Sequence, residues 1–360
     1  MTLLLDNDDV ENVLSMRDSI VALESVFVDY ARGRAINRPR SHTYTDLSES
    51  WGEGHHYLFK SMDGSVPRAG VHAIRMSSDH THEHAADGRR RRDKLPLAPG
   101  ERWVGLILLF DIDTLVPLAI LHDGYLQRMR VGATSALAAR HLARPDAVRA
   151  GLVGTGWQAG AQLLGLAELG SISDYRVFSP DAERCRAFCD EYTHRLGADV
   201  RPVATAHEAV AGSDVVALAT NAHDPVLDGH WLRPGQHVGS VQGHELDWTT
   251  LDRADLIVVR SREEATFHHA AGRAPAEAAG RKQLDEELRV KVAELGDVVT
   301  GVRGRRDERD VTLFTGGGTG ASSGLGIQFA AVADVAYRAA VAHGSGRELP
   351  TEWFTQDRKP

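Results

Sequence analysis

Gly154-Thr155-Gly156-Trp157-Gln158-Ala159 is the segment whose residue types and spacing most directly specify a chemistry. It follows a short apolar strand, Ala150-Gly151-Leu152-Val153, and opens a helical stretch over 159–169. In that setting a G-x-G-x-x-A pattern suits a dinucleotide. Gly154 allows the tight turn, Gly156 lets a pyrophosphate approach the backbone, and Ala159 lets helix and strand pack closely. The free N–H groups and positive dipole end of the helix favour phosphate. The same residues also read as a tight turn without a ligand. The end of the next strand, Tyr175-Arg176-Val177-Phe178, bears on the choice between nicotinamide cofactors. An acidic residue there would hold the ribose 2′-hydroxyl of NAD, but the chain has Ser179-Pro180-Asp181, with Arg184 one turn on. Ser179 and Arg184 favour a 2′-phosphate and hence NADP(H). Asp181, facing the ribose from one turn later, keeps NAD(H) open.

Other clusters point less sharply. His80, His82 and His84 alternate, and Arg89-Arg90-Arg91-Arg92 run together before Pro96 and Pro99. Alternating histidines would present one face to a metal if the chain were extended. No acidic or cysteine partner completes a set at fixed spacing, so a solvated loop over 79–102 is expected and no metal is assigned. The arginine run reads as a solvated charge block, with a phosphate or a neighbouring subunit as the alternative attraction. Cys185 and Cys189, the only cysteines, sit four apart on an expected helix and read as reduced residues.

The elements that position these residues follow from the whole chain. Its 360 residues suggest two domains, and a hydrophobic fraction of 42% with 25% charged residues excludes a largely disordered protein. The net charge of −9 argues against nucleic acid as a partner. No apolar run approaches the roughly 20 residues that span a bilayer, and no secretory leader is evident, so a soluble, cytoplasmic protein is expected. Ile20, Leu23, Phe27 and Tyr30 share one face of a helix over 16–30, which Gly33 ends. A strand-like region follows to about residue 78. Trp103–Phe110 and Val116–Leu121 form a hairpin about Asp111-Ile112-Asp113-Thr114. An alanine-rich helix over 131–143 stops at Pro145. Beyond residue 145, apolar strands at 150–153, 175–178, 215–219, 237–240 and 256–259 alternate with helical stretches, the signature of βαβ units and a parallel sheet. A last helix over 327–343 lies outside that rhythm and is expected to return to the N-terminal half. The fold class is therefore α/β: a doubly wound parallel sheet domain, 145–319, plus an α+β domain made of 1–144 with 320–360.

At this point the chain resembles the ornithine cyclodeaminase/μ-crystallin family. The segment Arg130-Val131-Gly132-Ala133-Thr134-Ser135-Ala136-Leu137-Ala138-Ala139-Arg140-His141-Leu142 carries most of the likeness. It runs into Gly151-Leu152-Val153-Gly154-Thr155-Gly156-Trp157-Gln158-Ala159. Ala219-Thr220-Asn221, Leu232-Arg233-Pro234-Gly235-Gln236 and Glu245-Leu246-Asp247 add support. The resemblance implies a Rossmann-type domain binding NAD(H) or NADP(H) along Gly154 to Ala159, Ser179, Arg184, Thr220, Asn221 and Val241. It also implies a second domain that forms a homodimer and part of the substrate site. The implied activity is hydride transfer at the C–N bond of an α-imino or α-amino acid. Ornithine cyclodeamination and a non-enzymatic crystallin-like binding role are the alternatives. The substrate would be a small amino, imino or keto acid.

The resemblance places Arg130 as the carboxylate-binding arginine and Arg40 (or Arg38) as a second one. A planar guanidinium suits a carboxylate. The family's strand lysine is matched by Arg75, which binds charge but does not shuttle protons. Lys60 is a second cation nearby. The cyclodeaminase aspartate is missing from Val238-Gly239-Ser240-Val241-Gln242-Gly243-His244, where His244 is the titratable side chain. Lys60 and His244 are thus the candidates for managing the nitrogen's proton. The glycine-rich segment 316–326 reads as a cover over nicotinamide or substrate, or as a linker.

Overall fold

Helix and strand periods explain most of the architecture seen in the computed structural model, which describes all residues except 87–88, 223, 263–265, 275, 278–285, 316–323 and 359–360. Ser15 caps the helix Met16–Ala31 by accepting from the Asp18 N–H, and Ile20, Leu23 and Phe27 are fully buried on its inner face. Gly33 follows with φ +66°, a left-handed conformation that glycine adopts without penalty.

The N-terminal half supplies β1 (Thr2–Leu5), β2 (Ile36–Asn37), β3 (Arg40–Asp46), β4 (His55–Val66), β5 (Val71–Ala86), β6 (Arg89–Leu95), β7 (Val104–Asp111) and β8 (Pro117–His122). The second half supplies β9 (Arg149–Val153), β10 (Asp174–Phe178), β11 (Asp199–Pro202), β12 (Val215–Leu218), β13 (His237–Ser240) and β14 (Leu256–Val259). It continues with β15 (Thr266–Ala270), β16 (Ala276–Glu277), β17 (Val292–Glu294), β18 (Thr312–Thr315) and β19 (Arg347–Leu349). Among the described residues these form two sheets. The first is mixed, in the order β16-β15-β3-β4-β5-β7-β8-β1-β19, with β2 beside β4 and β6 beside β5. The second is parallel throughout, in the order β11-β10-β9-β12-β13-β18-β14-β17.

Three features depart from expectation. The span 79–102 is not a loop: it holds the end of β5 and all of β6. The polar composition concealed a strand period of two, in which Asp79 and Thr81 are buried on one face while the histidines take the other. The arginine run lies in β6, where Arg92 Nε donates to Glu83 Oε1 at 2.7 Å. Second, β15, from inside the segment expected to belong wholly to the parallel sheet, pairs in parallel with β3 and extends the mixed sheet. The alanine-rich helix begins earlier than expected, running from Gly124 to Leu142.

The core of the mixed sheet is sealed by the helices Met16–Ala31, Gly124–Leu142 and Gly326–His343. The last of these returns to the N-terminal half as its separate rhythm implied. The Gly124–Leu142 helix also packs on the helix Trp157–Ala167 of the parallel sheet. A Cβ on Gly132 would lie 2.4 Å from Ala161 O, and one on Gly165 would lie 2.8 Å from Gly132 O. These glycines set the close crossing that joins the two layers. Among the described residues no helix is long and apolar enough to cross a membrane.

Candidate cofactor and substrate site

The parallel sheet reverses direction of winding between β9 and β12, and ligands of such sheets bind in the crevice at the C-terminal strand ends beside that point. The glycine turn sits there. Gly154 has φ +116°, and a Cβ on it would meet Ala219 O at 2.2 Å. At Gly156 a Cβ would meet nothing within 4 Å, so the backbone borders open space. No side chain caps the helix that starts at Trp157, which leaves its first N–H groups available to phosphate. Ala159 is fully buried and Thr155 largely so. Half-exposed Trp157 stacks under the Arg128 guanidinium at 4.0 Å, and Gln158 donates to Gln127 Oε1 at 2.8 Å. These residues fit a dinucleotide pyrophosphate.

The rim of the crevice is organised by Glu245, whose contribution went unnoticed in the sequence beyond its place in a motif. Its carboxylate is fully buried and both oxygens are used. Oε1 accepts from Thr220 N at 2.7 Å and Thr220 Oγ1 at 2.9 Å. Oε2 accepts from Ser240 Oγ and Gln242 N, both at 2.9 Å. Glu245 thereby fixes the loops after β12 and β13, which carry Thr220, Asn221, Val241 and His244. Asn221 is exposed, Val241 is buried and donates its N–H to Leu218 O, and His244 is half-buried on the short turn Gly243–Glu245. Ser179 stands at the end of β10, and Arg184 is exposed in the first turn of the next helix. Asp181 caps that helix, accepting from Arg184 N at 3.0 Å. Thr315, at the end of β18, has a buried hydroxyl oxygen with no partner among the described residues. Sequence reasoning missed it because one threonine after an apolar strand carries no pattern.

On the mixed sheet, register sorts the remaining candidates into two rows on one face. Met62, Arg75 and Ile107 lie opposite one another across β4, β5 and β7, and Arg40, two residues before His42 at the start of β3, extends that row. The next row carries His42, Lys60, Ser77 and Gly105, with His268 beside His42 on β15. Neighbouring strands are about 4.8 Å apart and the rows two residues, or about 6.6 Å, apart.

In the first row Arg75 donates from Nε to Asp123 Oδ2 at 2.6 Å. Arg75 and buried Arg130 both lie over the Phe329 ring, at 5.7 and 4.9 Å. Arg40 Nη2 is 3.5 Å from Gly324 O, and a Cβ on Gly324 would meet the Arg130 guanidinium at 2.8 Å. Three arginines thus converge at the start of the last helix. Gln328 steadies that junction: it is fully buried and donates to Thr134 Oγ1 at 2.6 Å, which in turn donates to Arg130 O at 2.6 Å. Arg38 instead pairs with Asp63 at 3.2 Å near the surface. Of the expected glycine-rich cover, 316–323 lies outside the described residues.

In the second row Lys60 Nζ lies 3.1 Å from Asp79 Oδ2, and Lys94 Nζ lies 3.0 Å from Asp79 Oδ1. Burial, then the Lys94 charge, pulls the Lys60 ammonium down to about 8, although Asp79 opposes this. Burial alone would raise Asp79, but the two ammonium groups outweigh it and hold the carboxyl below its usual range. His42 is lowered to about 2 by burial and by Arg40, Lys60, His268 and Arg75, so it is a neutral imidazole. Sequence reasoning missed His42 as well, although its place two residues from Arg40 would put both on one face of a strand.

The alternating histidines occupy the opposite face. His82 stacks on His55 at 3.9 Å and on His84 at 4.8 Å. Among the described residues no group of three or more His, Cys, Asp or Glu side chains is arranged to hold a metal ion. Cys185 and Cys189 are free and buried.

Comparison with known proteins adds the following. The model of the ornithine cyclodeaminase/mu-crystallin family matches residues 92–344. A Delta(1)-pyrroline-2-carboxylate reductase of Bacillus cereus is 30% identical over 251 residues, covering 68% of this chain and 74% of that protein. Among solved structures, the Delta(1)-pyrroline-2-carboxylate reductase of Thermococcus litoralis, in complex with NADH and L-proline, is similar with a TM-score of 0.76 and 28% identity, over 97% of this chain and all (100%) of that one. An archaeal alanine dehydrogenase dimer with bound NAD is similar with a TM-score of 0.74 and 25% identity, over 97% of this chain and 99% of that one.

Proposed function

This chain belongs to the ornithine cyclodeaminase/mu-crystallin family, and we propose that it is an NAD(P)H-dependent oxidoreductase that reduces the C=N bond of an α-imino acid or runs the reverse reaction. The observation that carries this reading is a pair of features joined by the helix Gly124–Leu142: an open glycine turn at the switch point of a parallel sheet, where Arg128 of that helix stacks on Trp157, and three converging arginines, Arg130 of the same helix among them, with a largely buried lysine on the mixed sheet.

Gly154, Thr155, Gly156, Trp157, Gln158 and Ala159 hold the pyrophosphate; Ser179 and Arg184 face the adenosine ribose; Thr220, Asn221 and Val241 line the path to the reacting end. The bound nicotinamide supplies or takes the hydride. Arg40, Arg75 and Arg130 fix the substrate carboxylate, an orientation that lowers the barrier by holding the reacting carbon in place. Lys60 gives or takes the proton at nitrogen, since burial pulls its ammonium down to about 8 and Asp79 holds it in place at 3.1 Å. His244, on the short turn after β13, is the alternative proton carrier. Residues 145–319 act as the cofactor domain, and 1–144 with 320–360 as the substrate domain, with β15 lent across.

The chain acts as a homodimer. The face of the mixed sheet turned away from the site exposes Val104 and Leu106, at 43% and 39%, and a neighbour of this fold is a dimer with bound NAD.

The test is nicotinamide absorbance with purified protein. NADH and NADPH are each offered with pyruvate, glyoxylate or oxaloacetate and with ammonia or methylamine. Consumption that depends on the amine is expected. Silence with every pair, together with conversion of L-ornithine to proline at catalytic NAD, would overturn the proposal.

A further inference from the structure

We propose that His42 recognises a second acidic group on the substrate, so that the preferred substrate is a short dicarboxylic imino or keto acid; this rests on the site proposed above.

His42 is only 6% exposed, and neither ring nitrogen has a hydrogen-bond partner among the described residues. Buried polar atoms in folded proteins are nearly always paired, so two orphaned nitrogens on one buried ring call for a partner brought in from outside. The ring is on the face that carries Arg40 and Lys60, and two aromatic neighbours pack on it. His268 stacks on it at 5.4 Å with an interplanar angle of 13°, and Tyr44 packs edge-on at 6.3 Å. At 6% exposure and with these neighbours, the ring lies out of reach of bulk water in this position.

The charge around the ring identifies the partner. Arg40, Lys60, Arg75 and His268 all act on His42 to disfavour a further positive charge. A cationic ligand group would therefore be repelled. An anionic acceptor would take the ring N–H and at the same time be attracted by the neighbouring cations.

The sheet geometry separates this contact from the one already assigned. The arginine cradle lies in the Arg40–Met62–Arg75 row, and His42 lies one row further along β3, about 6.6 Å away. Lys60 is directly across from His42 on β4. A substrate with its α-carboxylate among the arginines and its nitrogen at Lys60 would carry a side-chain carboxylate to His42. A four- or five-carbon diacid spans that interval, and pyruvate or glyoxylate does not.

The test compares oxaloacetate and 2-oxoglutarate with pyruvate and glyoxylate, each with ammonia and the reduced cofactor, for the wild type, His42→Leu and His42→Asn. The wild type is expected to prefer a diacid by at least tenfold in kcat/KM. His42→Leu should cut the diacid-to-monoacid ratio at least tenfold, through KM more than kcat, and His42→Asn, which keeps an N–H donor, should restore part of it. Equal loss on both substrate classes, or a wild type that prefers the monoacids, would overturn the proposal. Calorimetric titration of the cofactor-bound protein with succinate and with acetate is read alongside. If no substrate pair turns over, the function above fails, whereas succinate binding that is lost in His42→Leu still upholds the diacid site. Wild-type protein that binds neither succinate nor a diacid substrate removes it, whatever the variants do.

Discussion

Arg75 and Asp123 meet over β7 because Gly105 leaves the gap between them. Arg75 Nε and Nη2 lie 2.6 and 2.5 Å from Asp123 Oδ2, and a Cβ on Gly105 would fall 1.9 Å from Asp123 Oδ1. Both side chains are about nine-tenths buried, at 11% and 9% exposure. The pair aims the guanidinium toward Phe329 and the convergence with Arg130. Arg75→Met would leave a buried carboxylate without its cation, a loss of about 3–5 kcal/mol. Asp123→Asn keeps shape and one acceptor, so the stability loss should be smaller, about 1–3 kcal/mol. Gly105→Ala should displace the Asp123 carboxylate and raise substrate KM while leaving cofactor affinity in place. Chemical denaturation and steady-state kinetics on the three variants check this ordering.

The two turn glycines should fail in different ways. Gly154 combines φ +116° with the Ala219 carbonyl at 2.2 Å from any Cβ. Gly154→Ala should therefore cost about 1–3 kcal/mol of backbone strain, before any effect on ligand. Gly156 has extended backbone and open space in front of it. Gly156→Val should cost about 1 kcal/mol as a poorer helix cap, yet put its side chain where the pyrophosphate must approach. The apo melting temperature should fall more for Gly154→Ala. Cofactor affinity, followed by fluorescence titration with NADH and NADPH, should drop at least tenfold for Gly156→Val.

Burial of neutral histidines gives the fold an acid limit. His237 on β13 is fully enclosed, with Nδ1 2.9 Å from Thr312 Oγ1, and burial followed by the Arg305 charge lowers it to about 3. Its folded value lies below its unfolded value near 6.5, so the unfolded chain binds the proton first. The stability His237 supports is present above about pH 6.5 and is lost as pH falls towards about 3. The slope is at most about 1.4 kcal/mol per pH unit from this one residue. His237→Gln should be less stable at pH 7 but show a shallower decline on the acid side. Urea denaturation from pH 7 to pH 4 reads both effects.

What the sequence made legible follows from which signals are local. The glycine turn, the alanine-rich helix and the parallel strands were readable because each encodes its own period or its own backbone demand. Asp79 shows the opposite case. Its burial depends on β4 and β6 pairing on either side of β5, which no local pattern reports, so a charged and histidine-rich stretch read as a loop. His42 and Glu245 were missed for a related reason. A single polar residue acquires its role only when register or a return loop places it against partners far along the chain, such as His268 for His42 or Thr220 for Glu245. The resemblance pointed to Arg40 and Arg75 as charge-binding residues with Lys60 as a second cation nearby, but their placement on one face, in two rows, required the strand register.

Lys60 offers the sharpest kinetic test, because its charge is balanced between opposing neighbours. Burial and Lys94 lower it to about 8, and Asp79 pulls the other way. As the donor in imine reduction Lys60 must be protonated, so kcat/KM should be level below pH 8 and fall tenfold per unit above it. Lys60→Met should remove that limb along with at least a hundredfold of activity, in keeping with the loss of a general acid. Lys94→Met should leave Lys60 in place but remove a neighbouring positive charge and release Asp79 to it alone. Both changes favour the ammonium, so the limb should move to higher pH. A Lys94→Met profile that stays at pH 8, with the limb intact in Lys60→Met, would assign the proton to another group, and His244→Gln would then be the variant expected to change the profile.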